Sequence, residues 1–210
     1  MEYPKINTLW KRDDGHNIIE GDYACPEFAS HKKWRVQEKI DGMNIRIYIS
    51  QDGKVEVKGR TDQASIPPYL LNFISMLDIA RNLSNSGLFT WVKTPIIMFG
   101  EGFGGKIQSG GRYSPTESFI LFDVYVNGRW STREEVDNFA IRLNLLSPHD
   151  FGMLTVNEII EFVKSKPIGR YNRMSYEMEG VIARSEPLVR FNTMNANPVM
   201  FKLKARDFKD

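Results

Sequence analysis

The sequence predicts an α+β fold with largely antiparallel sheets, and a few patterns carry that expectation. Residues 34–60 alternate in character between turn signals. Continuous apolar runs at 96–99 and 119–122 have the length of buried strands. Segments of helical period fall between some strands without the regular alternation of a βαβ series.

Taken in order, Trp34-Arg35-Val36-Gln37-Glu38-Lys39 leads to an Asp41-Gly42 turn. Asn44-Ile45-Arg46-Ile47-Tyr48-Ile49 follows, then Asp52-Gly53 and the alternating Val55-Glu56-Val57-Lys58. Paired Asp-Gly signals so close together predict a three-strand meander. In residues 69–83 the period changes, because Leu70, Phe73, Ile74, Leu77 and Ala80 share one helical face. Thr132 with Glu135 and Thr155 with Glu158 are capping boxes that each open a helix. Val181-Ile182-Ala183 and Met200-Phe201-Lys202-Leu203-Lys204 complete the strands. No Pro/Gly/Ser linker and no repeat divides the chain, so a single domain over residues 1–210 is expected.

The 210 residues are 41% apolar and 26% charged, which suits a soluble chain with a substantial core. A net charge of +2 excludes nucleic-acid binding by bulk charge and leaves a local basic groove open. Cys25 is the single cysteine, so neither an internal disulfide nor a cysteine metal cluster is expected, and a reducing, cytoplasmic setting fits. No apolar run approaches the roughly 20 residues of a membrane span, and the first residues lack the shape of a signal peptide.

The chemistry centres on Lys39-Ile40-Asp41-Gly42. A free lysine is a poor nucleophile, since only about one in 2,500 is neutral at pH 7. Burial, neighbouring cations or a metal would have to disfavour its charge. Gly100-Glu101-Gly102-Phe103-Gly104-Gly105-Lys106 satisfies the dinucleotide pattern GxGxxG and nearly a P-loop. Both fail, because Ile107-Gln108-Ser109-Gly110-Gly111 cannot open a helix and Ile107 stands where a P-loop needs Ser or Thr. Glu101 remains, a carboxylate at the end of an apolar strand. Glu179-Gly180-Val181 repeats that arrangement, and its glycine allows close approach beside the acid. Lys202 and Lys204 share one strand face. A solvated edge strand would also carry such lysines, but Met200, Phe201 and Leu203 argue for a partly buried site. His16, His31 and His149 have no ligand-like spacing and are given no role, and neither G-x-S-x-G nor HExxH occurs.

In this order the pieces resemble the covalent nucleotidyltransferase superfamily of polynucleotide ligases and messenger-RNA capping enzymes. Lys39-Ile40-Asp41-Gly42 matches its first motif, Lys-x-Asp-Gly, and Arg60 the arginine after the nucleophile's hairpin. Phe99-Gly100-Glu101 resembles the third motif, Phe122 the aromatic that stacks on the base, Glu179-Gly180-Val181 the fourth and Lys202-Leu203-Lys204 the fifth. Asn44, two residues after the motif glycine, and a chain that ends six residues after Lys204 resemble the ATP-dependent RNA ligases. DNA ligases and capping enzymes usually carry arginine there and continue into an OB-fold domain.

The resemblance implies a nucleotidyltransferase, ATP-grasp-like ligase fold reduced to its adenylyltransferase domain, without an OB-fold. It implies Lys39 as the nucleophile that takes AMP from ATP. Glu38, Ile40, Asn44, Glu101, Phe122, Lys202 and Lys204 would bind the nucleotide, with Glu101 on the ribose and the two lysines on the α-phosphate. Asp41 and Glu179 would hold Mg2+ or Mn2+ through water, and Arg60 would meet an RNA 5′-phosphate or the neighbouring 3′ end. AMP would then pass to an RNA 5′-phosphate, and a 3′-hydroxyl would displace it. A protein or domain in trans would supply the missing duplex clamp, and the basic residues Lys32, Lys33 and Arg35 would add phosphate contacts. A DNA ligase core, a GTP-dependent capping enzyme and a non-catalytic RNA-binding module with this fold stay open as alternatives.

Overall fold

The computed structural model describes residues 1–88, 95–171, 176–192 and 197–208. Its strands and helices are β1 (Asn7–Thr8), β2 (Trp10–Arg12), β3 (Ile18–Tyr23), β4 (Trp34–Lys39), β5 (Met43–Ile49), β6 (Val55–Gly59), α1 (Pro68–Met76), α2 (Ile79–Asn85), β7 (Ile96–Phe103), β8 (Ser118–Val126), β9 (Arg129–Trp130), α3 (Arg133–Leu143), β10 (Asp150–Leu154), α4 (Val156–Lys164), β11 (Gly180–Arg184) and β12 (Met200–Lys204). They form two compact units. One comprises Met1–Tyr3 and Asp41–Pro148, the other Pro4–Ile40 and His149–Asp210.

The first unit is built on an antiparallel sheet of order β6-β5-β7-β8-β9. Alternation along β5 sends Ile45, Ile47 and Ile49 into a core with Ile96, Met98, Leu121 and Val124. The helices cover that face through Leu70 and Ile74 of α1, Ile79 and Leu83 of α2, and Val136, Phe139 and Leu143 of α3. Each such side chain, fully buried, stabilises by about 1.5–3 kcal/mol. The helical stripe expected over 69–83 is two helices. Asp78 breaks it in the left-handed region at φ 47°, and Ile74, Ile79 and Leu83 still reach one core.

The second unit carries a sheet of order β1-β12-β11-β4-β10, antiparallel except for the β1–β12 pair, and a β2–β3 hairpin. Trp34, Val36, Val181, Ala183, Phe201 and Leu203 pack in its core with Phe28 and with Ile159 and Val163 of α4. Both capping boxes form, Thr132 accepting from the Glu135 N–H and Thr155 from the Glu158 N–H.

The meander expected over 34–60 is not formed. β5 and β6 pair as a hairpin, but β4 pairs with β10 and β11 and belongs to the other unit's sheet. Asp41-Gly42 is therefore a passage between sheets. Gly42 is required by close approach, since a Cβ there would stand 2.3 Å from the Gly102 carbonyl oxygen. β12 is not an edge either, for it lies between β1 and β11.

Candidate active site

In the second unit, register alone gathers the motif residues. Gly180 at the head of β11 is opposite Lys39 of β4 on one side and Lys204 of β12 on the other. Residues directly opposite share a face, so both lysines project from the same side of the sheet. A Cβ on Gly180 would lie 2.1 Å from the Leu203 carbonyl oxygen and 2.6 Å from the Lys204 Cα, so only glycine fits at this crossing. The preceding Glu179 joins the two cations. Its Oε2 accepts from Lys39 Nζ at 2.7 Å and its Oε1 lies 2.5 Å from Lys204 Nζ. Lys39 Nζ also donates to the Ile40 carbonyl at 3.3 Å.

Lys202 stands one pleat along the same face, opposite Ile182. Burial pushes its ammonium down to about 8, and Lys204, Lys39 and Lys5 push in the same direction against the weaker pull of Glu179. Two lysines thus share one carboxylate, with a third on the same strand face. Glu38 points from the opposite face, as strand alternation requires. It is buried, its Oε2 accepts from the Arg170 N–H at 2.9 Å, and its Oε1 has no hydrogen-bond partner. Burial raises this carboxyl above its usual value, with the Arg170 hydrogen bond opposing.

The first unit brings a second group together. Asn44 of β5 is opposite Glu101 of β7, and the Asn44 Oδ1 is buried without a hydrogen-bond partner. Phe122 is the extra residue of a β-bulge. Phe99 pairs with Asp123 while Gly100 pairs with Leu121, which leaves Phe122 unpaired. Bulges re-aim side chains in this way. The Phe122 ring meets Tyr3 edge-on at 5.0 Å, and Tyr3 also contacts Phe99 and Trp130 and donates to Asp123 Oδ2 at 2.6 Å. Asp41 opens this unit, half-buried, and Arg60 is exposed just beyond β6.

Among the described residues no group of three or more His, Cys, Asp or Glu could enclose a metal ion. That donor set does not fit a dehydrated, protein-ligated cation. It does fit a hydrated Mg2+ or Mn2+ carried largely by substrate phosphates, which needs only one or two carboxylates. The sequence reading missed Lys5, which acts on Lys202, and Asp207, whose Oδ2 accepts from the Lys204 N–H at 3.0 Å. Asp207 gave no signal of its own. β1, which brings the N-terminal segment beside β12, is two residues long and shows no period.

A sequence profile described as RNA ligase matches residues 32–204. No curated protein sequence matches the chain. Among solved structures, it is similar to a lysine-to-alanine mutant of Naegleria gruberi RNA ligase with ATP and Mn. The TM-score there is 0.65 at 18% identity, over 98% of this chain and 58% of that one. A lysine-to-methionine mutant of the same ligase with AMP and Mn gives 0.64 at 18%, over 98% and 58%. The same ligase with PPi gives 0.59 at 20%, over 83% and 50%. The chain therefore spans roughly half to three-fifths of the proteins it matches, and the likeness to them is one of fold.

Proposed function

This chain belongs to the RNA ligase family, and from that premise we propose that it is an adenylyltransferase domain, residues 1–210, that joins RNA ends through a lysyl-AMP intermediate on Lys39. The observation that carries the reading is the Lys39–Glu179–Lys204 chain of ion pairs with Lys202 beside it. Glu179 fixes the Lys39 amine in place beside two further cations that suit an anionic substrate.

Neutral Lys39 attacks the α-phosphorus of ATP. The N–P bond forms, the bond from that phosphorus to the bridging oxygen breaks, and the electron pair leaves on pyrophosphate while the amine proton goes to solvent. Lys202 and Lys204 offset the negative charge that grows on the phosphate oxygens. Phe122 stacks on adenine, Glu101 accepts from the ribose, and Glu38, Ile40 and Asn44 bound the base. Asp41 and Glu179 would hold Mg2+ or Mn2+ through water, and the cation would supply neutralisation of phosphate charge. The RNA 5′-phosphate, steered by Arg60, then takes AMP from Lys39, and a 3′-hydroxyl closes the phosphodiester bond and releases it.

Of the basic residues expected to grip RNA, Arg35 is already committed to Asp150 and Glu186. Lys32 and Lys33 remain, which favours a partner, or a domain in trans, as the main clamp on the duplex.

The test is incubation with α-labelled ATP and magnesium or manganese, followed by denaturing electrophoresis. Label that survives denaturation and is absent from Lys39→Ala is the expected result. No label with either metal, in protein shown beforehand to be nucleotide-free, would overturn the reading.

A further inference from the structure

Arg46 lies on β5 two residues beyond Asn44, and so on the same face of the first unit's sheet. Its side chain is only 6% exposed, and each nitrogen of its guanidinium has an acceptor. Nε donates to the Gly59 carbonyl at 2.7 Å, Nη1 to the Met1 carbonyl at 2.9 Å and Nη2 to Asp62 Oδ1 at 2.7 Å. A buried charge is costly unless it is paired and hydrogen-bonded. Here two of the three acceptors are backbone carbonyls, so what the side chain fixes is the course of the main chain.

Gly59 ends β6, and Arg60 is the next residue. Arg46 therefore grips the residue before Arg60 and the second residue after it. Further ties hold the same stretch. The Ala64 N–H donates to the Thr61 carbonyl at 3.2 Å, and a Cβ on Gly59 would stand 2.7 Å from that of Ala64, so the turn folds back against the strand end. The Asp62 N–H donates to Glu2 Oε1 at 3.3 Å, which joins the turn to the segment that Arg46 holds at Met1. Arg60 itself is exposed. An exposed cation is thus carried on a backbone anchored on both sides.

We propose that Arg46 is a positioning residue for the RNA 5′ end and acts through Arg60. Its fork holds the Gly59–Asp62 stretch so that Arg60 is presented to the 5′-phosphate. This rests on the reading of Arg60 above and adds to it the residue that sets where Arg60 stands. Ordering a loop draws on binding energy, and a backbone fixed in advance avoids that cost. The planar guanidinium suits the task, because its donors diverge in a rigid fork, whereas a lysine is a point charge on a flexible stem. Asp62 is the acceptor that can be altered without opening the core, since its side chain is 69% exposed.

The experiment measures, by fluorescence anisotropy, binding of matched 5′-phosphorylated and 5′-hydroxyl RNA strands to the full chain. Labelling of Lys39 by α-labelled ATP is read in parallel. Asp62→Asn and Arg46→Lys are compared alone and combined with Arg60→Ala, and thermal melts check that each variant folds. Arg60→Ala should remove most of the preference for the phosphorylated strand. Asp62→Asn and Arg46→Lys should each weaken that strand roughly three- to tenfold. Both should leave the 5′-hydroxyl strand and Lys39 labelling unchanged, and neither should cost anything further once Arg60 is alanine. A merely structural role predicts equal losses on both strands, reduced labelling, or losses that add to that of Arg60→Ala. Any of these would overturn the proposal, as would variants that keep the full preference for the phosphorylated strand. So would a preference that is absent from the parent or survives Arg60→Ala. A chain that takes up no label while the strands behave as expected would sink the lysyl-AMP reading and leave Arg46 in its role.

Discussion

Lys39 Nζ and Glu179 Oε2 are 2.7 Å apart, and the same carboxylate holds Lys204 through its other oxygen. Side chains of these residues are 14–20% exposed, so the cluster is largely withdrawn from water. Taking away the shared acid leaves Lys39, Lys202 and Lys204 facing one another with nothing between them. Glu179→Gln should therefore lower stability by about 2 kcal/mol, read from urea melts. Adding Lys39→Met to it should return part of that loss, because it removes one of the three repelling charges. If the two substitutions simply added, the lysines would not be coupled through Glu179.

Gly180 is what lets that cluster form. A methyl group there would drive into the Leu203 carbonyl oxygen, a backbone atom with nowhere to go. Gly180→Ala should cost about 3 kcal/mol or more and shift β11 against β12, so that soluble protein, if recovered, melts well below the parent. An unchanged melting temperature would mean that the strand crossing is looser than its geometry requires.

The parts of this architecture that were readable from the sequence are those decided locally. Both capping boxes are set by residues three apart, and the Lys202–Lys204 face follows from strand alternation alone. What could not be read depends on distant partners. The Asp41-Gly42 signal resembles a hairpin turn, yet β4 finds its neighbours in β10 and β11, more than 100 residues away. The break at Asp78 leaves the apolar stripe nearly intact, so periodicity could not reveal it. The bulge that turns Phe122 is set by the register between β7 and β8, and no residue type announces it.

Lys202 gives stability a pH dependence whose sign is fixed. Its folded value of about 8 lies below its ordinary 10.5, so between those values the unfolded chain binds more protons and stability rises with pH. Below about 8 the buried charge is a full cost to the fold. Lys202→Met should accordingly melt higher than the parent at pH 7, and the gain should shrink as pH approaches 10. A gain that stayed constant with pH would point to packing rather than charge.

Glu38 runs the opposite way. Burial raises its carboxyl above the ordinary 4.5, so the folded state holds the proton longer and stability falls as pH rises through that window. Glu38→Gln keeps an oxygen for the Arg170 N–H and removes the charge. It should melt higher than the parent at pH 7 and match it near pH 4. Equal melting at both pH values would show that the Glu38 charge is compensated.

Phe122 tests the proposed nucleotide pocket apart from the lysines. Its ring leans on Tyr3, which is itself tied to Asp123, Phe99 and Trp130, so removing the ring leaves the surrounding aromatic group supported. Stacking of a base on an aromatic side chain is worth about 1–3 kcal/mol. Phe122→Ala should then raise the ATP concentration for half-maximal labelling of Lys39 by roughly tenfold or more. Phe122→Tyr, which keeps the ring, should stay close to the parent. An ATP dependence indifferent to loss of the ring would remove Phe122 from the proposed pocket.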